Sequence, residues 1–302
     1  MAPGLRSLLI WLGCAVLWLP LAGRAQTAQP PLLWACVEKA EPYCHADAQG
    51  RPAGLVVKLV EEIARGLKLP LQTRLLPWAR AQALVREGQL DLMVTIPTQE
   101  RFAYAYFGRE SLVTEPLKLI VRAGQPSFAA RLRGLRSIDE LRDLRLVTYL
   151  GDGFAAQHLS QGFQLQQMTR ADNIPLMLLN GRAEASIGNV TLFRRWLIDQ
   201  KIPPHSFEAL DLRLPDTQPP RVLMLSRRSP WHERGLLRAM DAELRQMKRD
   251  GRWQALVREA LAPYGLTGLA TAGPPEPTEI SLQPYYRDYE LYPAAGATAS
   301  RP

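Results

Sequence analysis

The sequence predicts an α/β protein built as two units, each a mainly parallel sheet flanked by helices. Apolar runs of strand length alternate with segments of helical spacing along most of the chain. That alternation occurs twice over, with no visible internal repeat. About 235 residues, 32–266, read as globular, enough for two modest domains.

Each element has its own signal. LLWACV (32–37) is a strand, and 55–67 is a helix because Val56, Leu59, Val60, Ile63 and Leu67 recur at helical spacing. LQTRLL (71–76) is a strand, ARAQALVREG (79–88) a helix closed by Gly88, and LDLMVTI (90–96) a buried strand. Pro97 stops that strand, since it has no N–H and holds Ile96 extended. LKLIVRAG (117–124) leads to SIDE (137–140), a capping box that opens a short helix. RLVTYL (145–150) is a strand, and GDGF (151–154) leads into the helix AAQHLSQ. Strand QLQQM, helix IPLMLLNGR, strand EASIG, helix TLFRRWLIDQK and strand RVLML follow in turn. The last predicted helix spans 229–251, with Ser229 as cap, Pro230 first and Gly251 at its end. Residues 267–302, rich in Pro, Gly and Ala without periodicity, read as a disordered tail.

Residues 1–25 have the form of a cleavable signal peptide: one positive charge, an uncharged apolar run, and small residues before a cut after Ala25. A soluble periplasmic chain is therefore expected. Removing Arg6 and Arg24 with that leader takes the formal charge from +8 to +6. The remaining arginines are interleaved with acids, which argues against nucleic-acid binding. Cys36 and Cys44 are the cysteines left after cleavage, and an oxidising compartment favours a disulfide over two buried thiols. The four histidines (45, 158, 205, 232) show no metal-ligand spacing, so neither a metal nor a cofactor is expected.

Five stretches in order resemble the family 3 extracellular solute-binding proteins of ABC importers, the polar amino-acid binding type. They are PYCHADAQGRPAGLVVKLVEEIA (42–64), PWARAQALVREGQLDLMVTIPTQER (77–101), DELRDLRLVTYLGDG (139–153), LLNGRAEASIGN (178–189) and MKRDGRWQALVREAL (247–261). The resemblance implies the type II periplasmic binding protein fold, two α/β lobes joined by crossing strands that close over a ligand. Lobe 1 would be 32–112 with 223–266, and lobe 2 would be 113–222.

In open α/β sheets ligands lie beyond the carboxyl ends of the strands, which directs attention to Glu38, Arg101, Gly151-Asp152-Gly153 and Asn189. Arg101 stands where the family's arginine grips the ligand carboxylate, a task suited to a planar fork of N–H donors. The alternative is a salt bridge to Glu100 or Glu110. Thr95 could add a hydroxyl or simply suit a strand end. Trp78 sits where the family often stacks an aromatic on the ligand, and otherwise belongs to the core. Tyr43 is a second candidate wall. Gly151-Asp152-Gly153 opens a helix and could cradle an anion, with Asp152 either capping that helix or receiving a ligand cation. Asn189 departs from the family's usual Asp. It cannot neutralise a buried ammonium, so either Glu38 or Asp152 supplies that charge or the ligand is not an α-amino acid. Asn189 would alternatively cap the helix that follows.

The expected function is a monomeric binding protein, not an enzyme, that captures a carboxylate-bearing solute, an amino acid or related organic acid, for an ABC permease. Two alternatives stand beside it. One is an exported enzyme similar to cyclohexadienyl dehydratases, with Glu38 or Asp152 as general acid. The other is a sensor whose liganded lobes signal to a partner.

Overall fold

The computed structural model describes residues 30–266, apart from 160, 215, 233, 234 and 265. The predicted signal peptide and tail lie outside the described residues. In chain order the elements are β1 (Leu32–Val37), β2 (His45–Ala46), β3 (Pro52–Ala53), α1 (Leu55–Gly66), β4 (Leu71–Leu76), α2 (Trp78–Glu87), β5 (Leu92–Thr95), α3 (Gln99–Phe102) and β6 (Ala105–Thr114). The chain then enters β7 (Leu117–Arg122), α4 (Pro126–Arg133), β8 (Arg145–Tyr149), α5 (Gly153–His158), β9 (Gln164–Met168), α6 (Ile174–Leu179), β10 (Ala185–Asn189), α7 (Val190–Asp199) and β11 (Phe207–Asp211). It returns through β12 (Pro220–Ser226), α8 (Leu236–Asp250) and α9 (Arg252–Leu261).

One sheet has the order β4-β1-β5-β12-β6 and the other β9-β8-β10-β7-β11. Both follow one plan. Three strands run parallel, and the fourth, β12 or β7, runs against its neighbours. The chain passes between the sheets after β6 and again before β12.

The central strands read as unbroken apolar runs because both of their faces are covered. In β12, Leu223 and Leu225 pack into the core under α1, α8 and α9, while Val222 and Met224 pack on the opposite side with α2. Helix α1 buries Leu55, Leu59, Val60 and Ile63 completely, and each such side chain contributes roughly 1.5–3 kcal/mol.

Three departures from the sequence reading have physical causes. The capping box at Ser137 and Glu140 is present, but it opens a 3-10 turn, Ile138–Leu141. The last long helix starts at Leu236 rather than next to Ser229, because Gly235 before it is left-handed (φ 66) and interrupts any helix arriving from Ser229, whose Oγ donates to Asp91 Oδ1 at 2.6 Å. Strand β6 was not predicted, since its middle carries Gly108, Arg109 and Glu110.

Those residues sit at a register shift opposite β12, where the ladder is interrupted. Asp241 of α8 takes up the freed N–H groups of Arg109 (2.7 Å) and Glu110 (3.3 Å). A Cβ at Gly108 would lie 2.7 Å from Asp241 Oδ1, so the helix approaches here only over a glycine. Burial pushes the Asp241 carboxyl up to about 7, against the pull of those two N–H bonds. Its folded value lies above the unfolded one, so the stability it contributes is complete below about pH 4 and is lost as pH rises through its folded value. Compared with Asp241→Asn, the parent chain is expected to lose stability between about pH 4 and about pH 7, with no further loss above the folded value. Urea midpoints that stay parallel for the two chains across that range would refute this assignment.

Candidate functional site: a cleft between the two sheets

Strands β1, β4 and β5 of the first lobe and β8 and β10 of the second direct their carboxyl ends toward a common cleft. A cavity of about 340 Å³ lies there, lined by Glu38, Tyr43 and Trp78 from one side and Tyr149 and Trp196 from the other. A smaller cavity of about 50 Å³ is lined by Thr95, Asp152, Gly153 and Asn189. Trp78, Tyr149, Leu192, Trp196 and Arg221 line both.

Arg101 is buried but lines neither cavity. Its Nε donates to Gln82 Oε1 (2.9 Å), Nη1 to the Ile96 carbonyl (2.7 Å) and Nη2 to the Gly151 carbonyl (2.8 Å). The guanidinium also lies 5.4 Å from the Trp78 ring centroid. Neither Glu100 nor Glu110 is its partner: Glu100 accepts from Arg86, and Glu110 from Arg245 and Lys248. The expected clamp on a ligand carboxylate is therefore engaged with neutral acceptors. Burial lowers its pKa.

The anion cradle expected at Gly151-Asp152-Gly153 is also taken. Asp152 caps α5, accepting from Phe154 N (3.0 Å) and Ala155 N (3.3 Å), and Thr148 Oγ1 donates to its other oxygen. Burial raises the Asp152 pKa, with those hydrogen bonds and the Arg101 charge opposing it. The glycines serve lobe contact instead. Gly151 has φ +80, and a Cβ there would fall 2.3 Å from Gln82 Nε2. A Cβ on Gly153 would lie 2.6 Å from Arg101 Nη1. Trp78 Nε1 joins Arg101 on the Gly151 carbonyl at 2.9 Å, and the Trp78 ring meets Tyr149 edge-on at 6.4 Å.

Asn189 realises its capping alternative. Its Oδ1 accepts from Leu192 N at 2.9 Å, while its amide donates to Glu115 in the segment between β6 and β7. Tyr43 OH and Thr191 Oγ1 donate to the same carboxylate. Tyr43 is buried, and burial followed by the Glu115 charge pushes its phenol pKa well up. Thr95 is buried, with no hydrogen-bond partner for its hydroxyl among the described residues. Glu38 is exposed at the rim of the larger cavity.

The Cys36–Cys44 bridge is not formed. Both are buried free thiols, and the hydrogen bond of the Cys36 thiol to Cys44, then burial, drives the Cys36 pKa upward. Their sulfurs are held together because Ala40 and Cys44 pair their backbones and fold the loop over β1. Among the described residues no group of His, Cys, Asp and Glu could hold a metal ion, and no helix is long and apolar enough to cross a membrane.

Glu115, Trp196 and Arg221 were not found from sequence. Each enters the site through strand order, and Arg221 in particular follows Pro219-Pro220 with no motif around it.

Two facing sheets, a doubly crossed connection and a cleft with aromatic walls define a two-lobed solute-binding protein of the type II periplasmic fold. The chain belongs to the bacterial extracellular solute-binding proteins, family 3, whose family model matches residues 32–262. Among solved structures, an ancestral arginine-binding protein bound to arginine is similar at 16% identity and a TM-score of 0.62, covering 76% of this chain and 98% of that one. A histidine kinase sensor domain with similarity to periplasmic binding proteins matches at 15% identity and a TM-score of 0.63, over 76% of this chain and 96% of that one. The arginine-, lysine-, histidine-binding protein ArtJ from Geobacillus stearothermophilus matches at 13% identity and a TM-score of 0.61, over 77% and 96%. At such identities the likeness establishes the fold. No curated protein matches the sequence.

Proposed function

We propose that the protein is exported to the periplasm and captures a small carboxylate-bearing solute, an amino acid or related organic acid, for delivery to an ABC permease. The observation that carries this reading is the cavity of about 340 Å³ with walls from both lobes, a size and apolar lining typical of small-molecule sites. Similar solved structures, an ancestral arginine-binding protein bound to arginine or to glutamine and an arginine-, lysine-, histidine-binding protein, give the same direction. Binding is favoured over turnover because Asp152, the more enclosed carboxylate, is tied to the first N–H groups of α5 and to Thr148 rather than facing a reacting atom.

The test is thermal melting of the mature protein against a panel of amino acids and small organic acids. A ligand at a hundredfold its Kd adds about 2.7 kcal/mol. For a chain of this size that raises Tm by roughly 5–10 °C. A panel in which no carboxylate moves the midpoint would overturn the proposal.

A further inference from the structure

The geometry points to Arg221, on the crossing strand β12, as the residue that holds the ligand's carboxylate, and to a ligand with a flat aromatic body. This rests on the reading of the cleft as a carboxylate site and adds its anchor and its ligand class.

The cations at the two cavities differ in whether an internal acceptor already holds them. Lys39 and Arg170 line the larger cavity, but both are bound to Asp172, at 3.1 and 2.7 Å. Arg101 lines neither cavity and donates to three neutral acceptors. Arg221 lines both cavities, is half-buried, and makes no hydrogen bond or ion pair among the described residues. Its guanidinium lies over the Tyr43 ring, 5.8 Å from the centroid, and its charge also reaches Tyr149. A fork of N–H donors facing a cavity without an acceptor is suited to two-point contact with a carboxylate.

A second, independent group stands next to it. Thr95 of β5 lines the smaller cavity together with Arg221 of the neighbouring strand β12. The Thr95 side chain is 1% exposed and its hydroxyl is unpartnered among the described residues, yet Thr95 lines the smaller cavity beside Arg221. A buried hydroxyl without a partner is unfavourable, and a ligand oxygen would relieve it. Guanidinium and hydroxyl together make a two-residue anion site on adjacent strands of the first lobe.

The rest of the chamber sets the ligand's body. Trp34, Tyr43, Trp78, Tyr149 and Trp196 all line the larger cavity. Aromatic walls favour a flat ring by offset or edge-on contact, and five around one chamber exceed what an aliphatic diacid would use. Glu38, exposed at the rim, can accept from an ammonium without requiring one.

The experiment titrates the full mature chain with 3-phenylpropionate, L-phenylalanine, 3-phenylpropionamide and succinate, by calorimetry. The aromatic acids are expected to bind, with the amide and succinate at least tenfold weaker. Arg221→Gln should weaken binding of the aromatic acids on the order of 30-fold, while shifting the melting temperature without ligand by no more than about 4 °C, since the guanidinium gives up a ring contact with Tyr43 and no hydrogen bond or ion pair among the described residues. Thr95→Val should weaken binding severalfold and keep the same ligand order. If a carboxylate binds the parent chain and Arg221→Gln holds it within about twofold, the anchor is overturned while the reading of the cleft survives. Succinate binding as well as the aromatic acids would overturn the ligand class, and a chain that binds no carboxylate at all would overturn both. Should Arg221→Gln melt early, Thr95→Val decides the anchor: unchanged affinity there rejects it.

Discussion

Arg101→Ala is expected to lower folding stability by about 3 kcal/mol, measured by chemical denaturation without ligand. The side chain is 2% exposed and supplies charged donors to Gln82, Ile96 and Gly151 at 2.7–2.9 Å. Removing it leaves the Ile96 carbonyl and the Gln82 amide oxygen without that donor, in a space where the Arg101 side chain had excluded water. Hydrogen bonds to a charged group contribute roughly 1.5–3 kcal/mol each, and three sharing one side chain do not add fully. The variant should also weaken lobe contact, since the Gly151 carbonyl belongs to the second lobe and its donors to the first. A loss below about 1 kcal/mol would mean that water replaces the guanidinium freely. The contrast with Arg221 is diagnostic. One arginine should govern stability and the other affinity.

Glu110→Ala should have the larger effect, about 3–5 kcal/mol. Glu110 is 1% exposed and accepts from Arg245 Nε at 2.9 Å and Lys248 Nζ at 2.8 Å. Arg245 is half in solvent and can turn outward. Lys248, with an 8% exposed side chain, cannot, and removing Glu110 takes away the carboxylate to which it donates at 2.8 Å. Burial lowers the Lys248 pKa, and the Glu110 hydrogen bond and charge raise it, so the variant should also favour neutral Lys248. Glu110→Leu combined with Lys248→Met should recover most of the loss, because it removes both buried charges. Failure of the double variant to recover would show that the loss comes from the strand irregularity rather than from an orphaned ammonium.

What the sequence revealed depended on whether the cause was local. Strands β1, β5 and β12 were legible because both faces are buried and the runs Leu32–Val37, Leu92–Val94 and Val222–Leu225 are apolar. Strand β6 was hidden because its register shift places Gly108, Arg109 and Glu110 where a pattern of strand residues would be expected. Strand β11, FEALD, is an edge strand with one partner, and it carries too few apolar residues to stand out. The site divides in the same way. Asn189 as a helix cap follows from its neighbours, and the capping alternative was visible. Arg101 was read as following a buried strand and stands on α3 beyond β5, but its acceptor at Gly151 is fifty positions away and lies on the other lobe. Arg221 had no local signature. Its importance comes from a strand order that sets it beside Thr95.

The Gly151 carbonyl, where Trp78, Gln82 and Arg101 converge, has a consequence for how such a molecule can change over generations. The clasp closes on a main-chain atom, so no side chain of the second half is needed to keep it. Residues around the chamber can drift toward another solute while the two halves still shut on the same oxygen. Only a bulkier residue at 151 itself, strained at φ +80 and driven into Gln82, would spring the catch.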